Sequence, residues 1–223
     1  MKKTEEAEAA PKQKTVLIEK PNMEIGLFRI RGTAPYVQHR FATKAKEMMK
    51  AKQEAGSTAA KGAKREAKNF MAEYEAAMYK IGANGKPVEH GIPAPAFRNA
   101  MISACRVVGF PMTRGKLAVF VEADAFDESD GTPLVRIIKG KPHCTEMPVR
   151  LETGVIDIRV RPMWDAGWEA EVRIRFDADM FTLEDIGNLL FRAGVQVGIG
   201  EGRPDSKKSC GMGWGLFEVV KSK

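Results

Sequence analysis

In Val155-Ile156-Asp157-Ile158-Arg159-Val160-Arg161 and in Trp168-Glu169-Ala170-Glu171-Val172-Arg173-Ile174-Arg175-Phe176, apolar residues alternate strictly with charged ones. Such alternation is typical of strands that are covered on one face. The short turn at 162–167 predicts that the two strands pair as an antiparallel hairpin. The other face of this hairpin would then present the charged residues Asp157, Arg159, Arg161, Glu169, Glu171, Arg173 and Arg175.

A helix is expected directly after this hairpin. Thr182 is the predicted N-cap, and Asp185 three residues later forms a variant capping box. The helix should run to Arg192 and stop at Gly194 in the C′ position. Its buried residues should be Leu183, Ile186, Leu190 and Leu189. A glycine-rich loop and a last strand at 216–220 follow.

The region before the hairpin predicts a strand, a helix and two more strands. The segment Gly26-Leu27-Phe28-Arg29-Ile30-Arg31 alternates, with Phe28 and Ile30 toward a core and both arginines outward. Pro93-Ala94-Pro95 introduces a helix from about 96 to 108, since proline is tolerated in a first turn. Its buried stripe should contain Phe97, Met101, Cys105 and Val108. Strands at about 116–122 and 134–138 flank an acidic turn.

The order of these elements indicates the fold class. Without a helical insertion and the added hairpin, the order is the β-α-β-β-α-β pattern of ferredoxin-like proteins. We therefore expect an α+β fold: a ferredoxin-like or RRM-like palm with an antiparallel sheet, a helical insertion after the first strand and an added β-hairpin. Residues 1–22 are expected to form a disordered tail, and residues 23–223 a single domain.

The expected insertion, at about 41–80, is rich in Ala, Lys, Glu and Met, which favours helices at about 41–54 and 60–80. Residues 40–80 contain ten basic and five acidic residues. Two interpretations remain open for this charge. The insertion is either a solvated helical hairpin or a mobile basic finger over a polyanion.

The composition restricts the possible functions. The 223 residues contain 36 Lys and Arg against 29 Asp and Glu, so the formal net charge of +7 favours polyanionic partners without proving them. No apolar run approaches the roughly 18 residues of a membrane span, and the first fourteen residues do not resemble a secretory signal. Cys105, Cys144 and Cys210 lack metal-ligand spacing. We expect a cytoplasmic protein without a metal, a cofactor or a membrane partner.

The most specific local motif is Gly198-Ile199-Gly200-Glu201-Gly202-Arg203, which Lys207 and Lys208 follow. Glycines let backbone N–H groups approach a phosphate closely, and neighbouring Arg and Lys add charge-assisted hydrogen bonds. The loop is neither a Walker A motif nor a dinucleotide fingerprint, because it follows a helix and precedes a strand. A flexible hairpin with clustered glycines is the alternative interpretation.

The segments Ile92-Pro93-Ala94-Pro95-Ala96-Phe97-Arg98-Asn99-Ala100 and Ala193-Gly194-Val195-Gln196-Val197-Gly198-Ile199-Gly200-Glu201-Gly202-Arg203 resemble the RAMP superfamily. More narrowly, they resemble the backbone subunits of CRISPR effector complexes, which act in antiviral defence. The order of elements agrees over about residues 23–221. The resemblance implies a non-enzymatic, RRM-like subunit that binds guide RNA by its phosphate backbone. It implies as partners single-stranded RNA or DNA, further copies of the chain in a filament, and other subunits of the ribonucleoprotein.

The resemblance also implies nucleic-acid contacts. It places a basic contact at Arg98 and the glycine loop at Gly198, Gly200 and Gly202, with Arg203 as its basic neighbour. Further candidate contacts are the basic residues Lys207, Lys208, Arg29, Arg31, Arg40, Lys44 and Lys46. No catalytic residue is expected, because the loop at 32–40 lacks the carboxylate with which related subunits cleave target RNA.

Two other functions stay open. His39, beside Tyr36 and Arg40, could serve as acid or base in an RNA endonuclease of the same superfamily. A phage or mobile-element structural or assembly protein, or a single-stranded DNA-binding protein, could use the same fold. The arginines of the hairpin could likewise follow a nucleic-acid backbone, although cross-strand pairing with the acids beside them explains many of them without a ligand.

Overall fold

The structure is a computed structural model that describes residues 18–40, 43–54, 69–82, 88–150, 154, 156–206 and 212–220. Its strands are β1 (Met23–Gly32), β2 (Tyr36–Val37), β3 (Lys80–Ile81), β4 (Glu89–Pro93), β5 (Val119–Glu122), β6 (Ala125–Phe126), β7 (Pro133–Lys139), β8 (Pro142–Arg150), β9 (Ile156–Trp164), β10 (Glu169–Asp177) and β11 (Phe217–Val220). Its helices are α1 (Thr43–Glu54), α2 (Phe70–Ala76), α3 (Ala94–Val107), α4 (Met112–Ala118) and α5 (Leu183–Arg192). The expected α+β class is confirmed.

Eight strands form the main sheet, in the order β11-β1-β10-β7-β4-β3, while β5 also pairs with β10 and β6 with β7. Every pairing is antiparallel. The strand expected at 134–138 is β7, but the one expected at 116–122 is partly wrong. Residues 116–118 end helix α4, and only Val119–Glu122 is extended.

Helices α3 and α5 pack against each other and against the main sheet. Phe97, Met101 and Cys105 are fully buried in α3, as its apolar spacing predicts. Val108 is not buried as expected: it is the C-cap residue and is 48% exposed, because the helix has already ended.

Helix α5 begins as its sequence predicts. The Thr182 side chain accepts a hydrogen bond from the Asp185 backbone N–H, and the Asp185 carboxylate accepts one from the Thr182 N–H. Two details were predicted wrongly. Leu183 is exposed, and Gly194 does not stop the helix, because a π-helical turn (Ala193–Val197) continues it until Gly198 adopts a φ of +73°.

The predicted hairpin of 155–161 with 168–176 is wrong. Strand β9 pairs with β8 and β2 in a separate three-stranded sheet, whereas β10 pairs with β1, β5 and β7 in the main sheet. The chain passes from one sheet to the other at a corner where Trp164 and Trp168 are buried against Tyr36, with ring centroids 5.5 and 5.6 Å from the tyrosine ring. Burial of both tryptophan side chains thus favours a corner between two sheets over a tight turn that would pair β9 with β10.

The insertion is helical over two described segments. Helix α1 fits the first expected helix, and α2 covers only Phe70–Ala76 of the second. Asn69 caps α2, and β3 begins at Lys80, so the expectation that this helix reaches residue 80 is wrong. Residues 60–68 lie outside the described residues. Among the described helices, none is both long and apolar enough to cross a membrane.

Candidate functional site

A cleft of about 540 Å³ opens where three parts of the chain meet: the segment after β2, the first turns of α3 and the glycine-rich loop. We call it the loop cleft. Strand β9 contributes one side chain to its wall, and Tyr79 contributes another. The lining residues include Tyr36, Gln38, His39, Tyr79, Pro93, Ala96, Asn99, Ser103, Arg159, Gly198, Gly200, Glu201, Gly202, Arg203 and Asp205.

The glycine-rich loop packs closely on the chain's own backbone. Gly200 has a φ of +77°, and a Cβ there would lie 2.5 Å from the Val37 carbonyl oxygen. The neighbouring N–H groups of Ile199 and Glu201 donate to the carbonyls of Gly215 and Val37, both at 3.0 Å. The loop is therefore a fixed wall of the cleft, which disfavours the alternative of a flexible glycine hairpin.

His39 lies in the cleft inside a hydrogen-bonded cluster. Arg161 Nη2 is 3.2 Å from His39 Nε2, and since a guanidinium can only donate, Nε2 is the acceptor. The ring proton is therefore on Nδ1, which faces Glu201 Oε2 at 3.6 Å. Burial and the Arg161 charge lower the pKa of His39, although Glu201 opposes them. His39 is thus neutral at pH 7, and its Nε2 is engaged by Arg161.

Arg159 differs from the other cations near the cleft. It projects from β9 into the lining, is half-buried, and forms no ion pair or hydrogen bond with any residue that the structure describes. The two carboxylates of the lining are already paired. Glu201 accepts from Arg161 at 3.0 Å, and Asp205 accepts from Arg106 at 2.9 Å. Hydrogen bonds from Ser103 and Arg106 hold the pKa of Asp205 below its usual range.

The cleft and its immediate partners therefore have a surplus of positive charge. Its described side chains include four arginines (Arg106, Arg159, Arg161 and Arg203) against two carboxylates. Arg203 donates to the Gly200 carbonyl at 3.0 Å and forms no ion pair within 4 Å among the described residues. An anion is the ligand that this arrangement favours.

The sequence prediction placed Arg98 against phosphate, but the structure places it outside the cleft lining. Its guanidinium donates to the carbonyls of Val119 and Lys116 and lies 5.4 Å from the Phe120 ring centre. These contacts fasten α3 to α4 and β5. The resemblance assigns the loop contact to four residues, and all four line the cleft: Gly198, Gly200, Gly202 and Arg203.

Arg29 and Arg31 point outward on β1, as predicted, and both face Glu169, at 2.7 and 3.5 Å. Arg40 is largely buried and pairs with Asp127 at 3.1 Å. A nucleic acid would have to displace these carboxylates to reach the three arginines.

The remaining predicted contacts lie in the insertion and beyond the loop. Lys44 and Lys46 belong to α1, but their side chains lie outside the described part of the chain, as do Lys207 and Lys208. Arg159 was not among the candidate contacts predicted from the sequence, because the predicted hairpin set it across from the acids of the neighbouring strand.

Within the described residues, no group of three or more His, Cys, Asp or Glu side chains is arranged to hold a metal ion. The acidic turn after β6 is bonded internally. Asp127 accepts from the Ser129 N–H at 3.0 Å, and Asp124 accepts from the Arg136 N–H at 2.9 Å. These carboxylates thus stabilise the turn.

No protein-family model matches the chain, and no curated protein matches its sequence. The functional interpretation therefore depends on the geometry of the loop cleft and on the sequence resemblance given above.

Proposed function

We propose that this chain is a non-enzymatic subunit that binds single-stranded nucleic acid by its phosphate backbone in the loop cleft. The observation on which the proposal depends is the unpaired guanidinium of Arg159 beside a fixed glycine loop, in a cleft with surplus positive charge. Guanidinium groups are common phosphate ligands.

The arrangement of the main sheet supports a ferredoxin-like palm within this proposal. Four of its strands lie in the order β11-β1-β10-β5. Helix α3 precedes β5, helix α5 connects β10 with β11, and the two helices contact each other. Two such β-α-β units, interleaved in one antiparallel sheet, are what the β-α-β-β-α-β order requires.

On this basis we extend the proposal to the RAMP superfamily and to a backbone subunit of a CRISPR effector complex. Guide RNA would be the bound strand, and further copies and other subunits would be the protein partners. Cleavage is not part of the proposal, because the Nε2 lone pair of His39 already accepts a hydrogen bond from Arg161.

The test is a binding titration with nuclease-treated protein and labelled single-stranded RNA and DNA of equal length, followed by anisotropy at several salt concentrations. Arg159→Gln should weaken binding at least about tenfold, since a charge-assisted hydrogen bond contributes about 1.5–3 kcal/mol. The slope of log K against log salt should decrease in magnitude by about 0.7, because the variant neutralises one phosphate fewer.

Arg173→Gln is the matched control, because it removes the same charge from the main sheet. There, the Asp124 carboxylate already lies 3.9 Å from the Arg173 guanidinium. Its affinity and salt slope should stay close to those of the unaltered chain. Absence of binding to either strand at low salt would refute the proposal. Equal losses in both variants would refute the assignment of the site to the cleft.

A further inference from the structure

Part of the lining of the loop cleft is apolar. Tyr79, Pro93 and Ala96 contribute this part. The Tyr79 ring is fixed in place: the Arg40 guanidinium lies 5.6 Å from the ring centre, and the hydroxyl is hydrogen-bonded with Thr132. The backbone N–H of the same residue donates to Gln38 Oε1 at 2.8 Å. An aromatic ring held in this way is a preorganised surface for a flat ligand.

Other residues of the lining are polar. Arg159 and Arg203 present guanidinium groups without carboxylate partners within 4 Å among the described residues. Asn99, on the first turns of α3, lines the cleft with an amide that has no hydrogen-bond partner in the described chain. Such an amide can both donate to and accept from the edge of a base or the hydroxyl of a sugar.

The size of the cleft suits a small ligand. Small-molecule sites in proteins have volumes of about 300–1,000 Å³ and combine apolar walls with a few placed polar groups. At about 540 Å³, with an aromatic residue, two arginines and an amide, the loop cleft has this composition. A surface that contacted only a phosphate chain would need neither a cleft of this volume nor the aromatic ring.

We infer that the loop cleft takes up one whole nucleotide of the bound strand, with its base against Tyr79 and its phosphate at Arg159 and Arg203. The inference rests on the proposed function and deepens it, because it names the unit that is recognised. Single nucleotides should then compete with the strand, and base stacking should add to the backbone contacts.

The experiment is a calorimetric titration of the full chain with adenosine 5′-monophosphate and, separately, with inorganic phosphate. The nucleotide should bind at least about fivefold more tightly, since stacking of one base contributes about 1–3 kcal/mol. Tyr79→Leu should remove most of this advantage and leave phosphate binding unchanged. Arg159→Gln should weaken both ligands.

Two further variants separate stacking from folding. Tyr79→Phe keeps the ring without the Thr132 hydrogen bond and should retain nucleotide binding, whereas Phe70→Leu removes an exposed aromatic ring outside the cleft lining and should change nothing. Equal affinity for nucleotide and phosphate would overturn the inference, as would a Tyr79→Phe loss equal to that of Tyr79→Leu.

The same titrations distinguish this inference from the proposed function. If the strand binds and Arg159→Gln weakens it, but the mononucleotide shows no advantage over phosphate, the backbone-binding function stands and the nucleotide pocket does not. If no strand binds at all, both are refuted.

Discussion

The outer face of the main sheet and the loop cleft are both rich in arginine, but only in the cleft do arginines lack carboxylate partners among the described residues. We call the first surface the open face, on the side away from α3 and α5; it comprises Ile25, Leu27, Arg29, Arg31, Phe120, Glu122, Glu169, Glu171, Arg173 and Arg175. Each of its arginines has a carboxylate within 4 Å, at 2.7, 3.5, 3.9 and 3.4 Å in chain order. In the cleft lining, Arg159 and Arg203 have none within the described part of the chain.

The comparison shows that a count of arginines does not locate a binding surface. Cross-strand carboxylates satisfy the open face, so its charge stabilises the sheet. The cleft positions its acids against Arg161 and Arg106, which leaves Arg159 and Arg203 for a ligand. Variants at Glu169, Glu122 and His39 test this difference. The expected effects become smaller in that order: on the free energy of unfolding, on the affinity for nucleic acid, and on the pH dependence of stability.

The largest effect is expected at Glu169. Its side chain is 5% exposed, and its carboxylate forms ion pairs with Arg29, Arg31 and Lys139. Donation by Lys139 and Arg29 holds the pKa of Glu169 below its usual range, so the carboxylate is charged at neutral pH. Glu169→Gln should lower the free energy of unfolding by about 2 kcal/mol, because charge-assisted hydrogen bonds are removed while the freed cations regain water.

Urea unfolding measures this decrease, and Glu171→Gln is the matched control, since Glu171 is exposed on the same strand. Equal stabilities for the two variants would show that the pairing on the open face contributes little.

A smaller effect is expected on binding when the open face loses another acid. Glu122 faces Arg175 at 3.4 Å, and Arg175 also lies 4.7 Å from the Phe120 ring centre. Glu122→Gln should free this guanidinium and raise affinity for single-stranded nucleic acid about twofold at low salt, through one added phosphate contact. Anisotropy at low and high salt measures the gain. A rise that persists at high salt would contradict the electrostatic explanation.

The smallest effect is the pH dependence of His39. Because burial and Arg161 lower its folded pKa below the ordinary value of 6.5, the unfolded chain binds the proton first as pH falls. The stability contribution is therefore complete above about pH 6.5 and is lost as pH decreases toward the folded pKa. His90, whose pKa burial also lowers, acts in the same direction.

Thermal unfolding between about pH 7.5 and about pH 5.5 should accordingly show a fall in melting temperature that is smaller in His39→Gln. Identical falls in both proteins would mean that the Arg161–His39 contact does not hold the ring neutral.

The features that the sequence predicted correctly are local. The capping box of α5 involves residues three apart, and the buried stripe of α3 follows from apolar spacing within one helix. The outward direction of Arg29 and Arg31 likewise follows from alternation along one strand. In each case the information lies within a few consecutive residues.

The features that the sequence missed depend on partners distant in the chain. Alternation in β9 and β10 identifies strands with two different faces, but it does not say that β9 pairs with β8. Strand β8 itself was missed. It contains Pro142 and Pro148, and proline normally argues against a strand except at a sheet edge, which is where β8 lies. Since the pairing was missed, so was the cleft position of Arg159.

The register of β1 has a consequence for the synthesis of the chain. Its neighbours are β10 and β11, which are synthesised much later. Arg31, for example, pairs with Glu169 on one side and with Glu218 on the other. At about 5–20 residues per second, roughly 7–30 s separate the emergence of β1 from that of β10. During this interval β1 has both edges unpaired, with Ile25 and Leu27 more than half exposed even in the folded chain. Nascent β1 should therefore benefit from a chaperone during synthesis and from slow dilution during refolding.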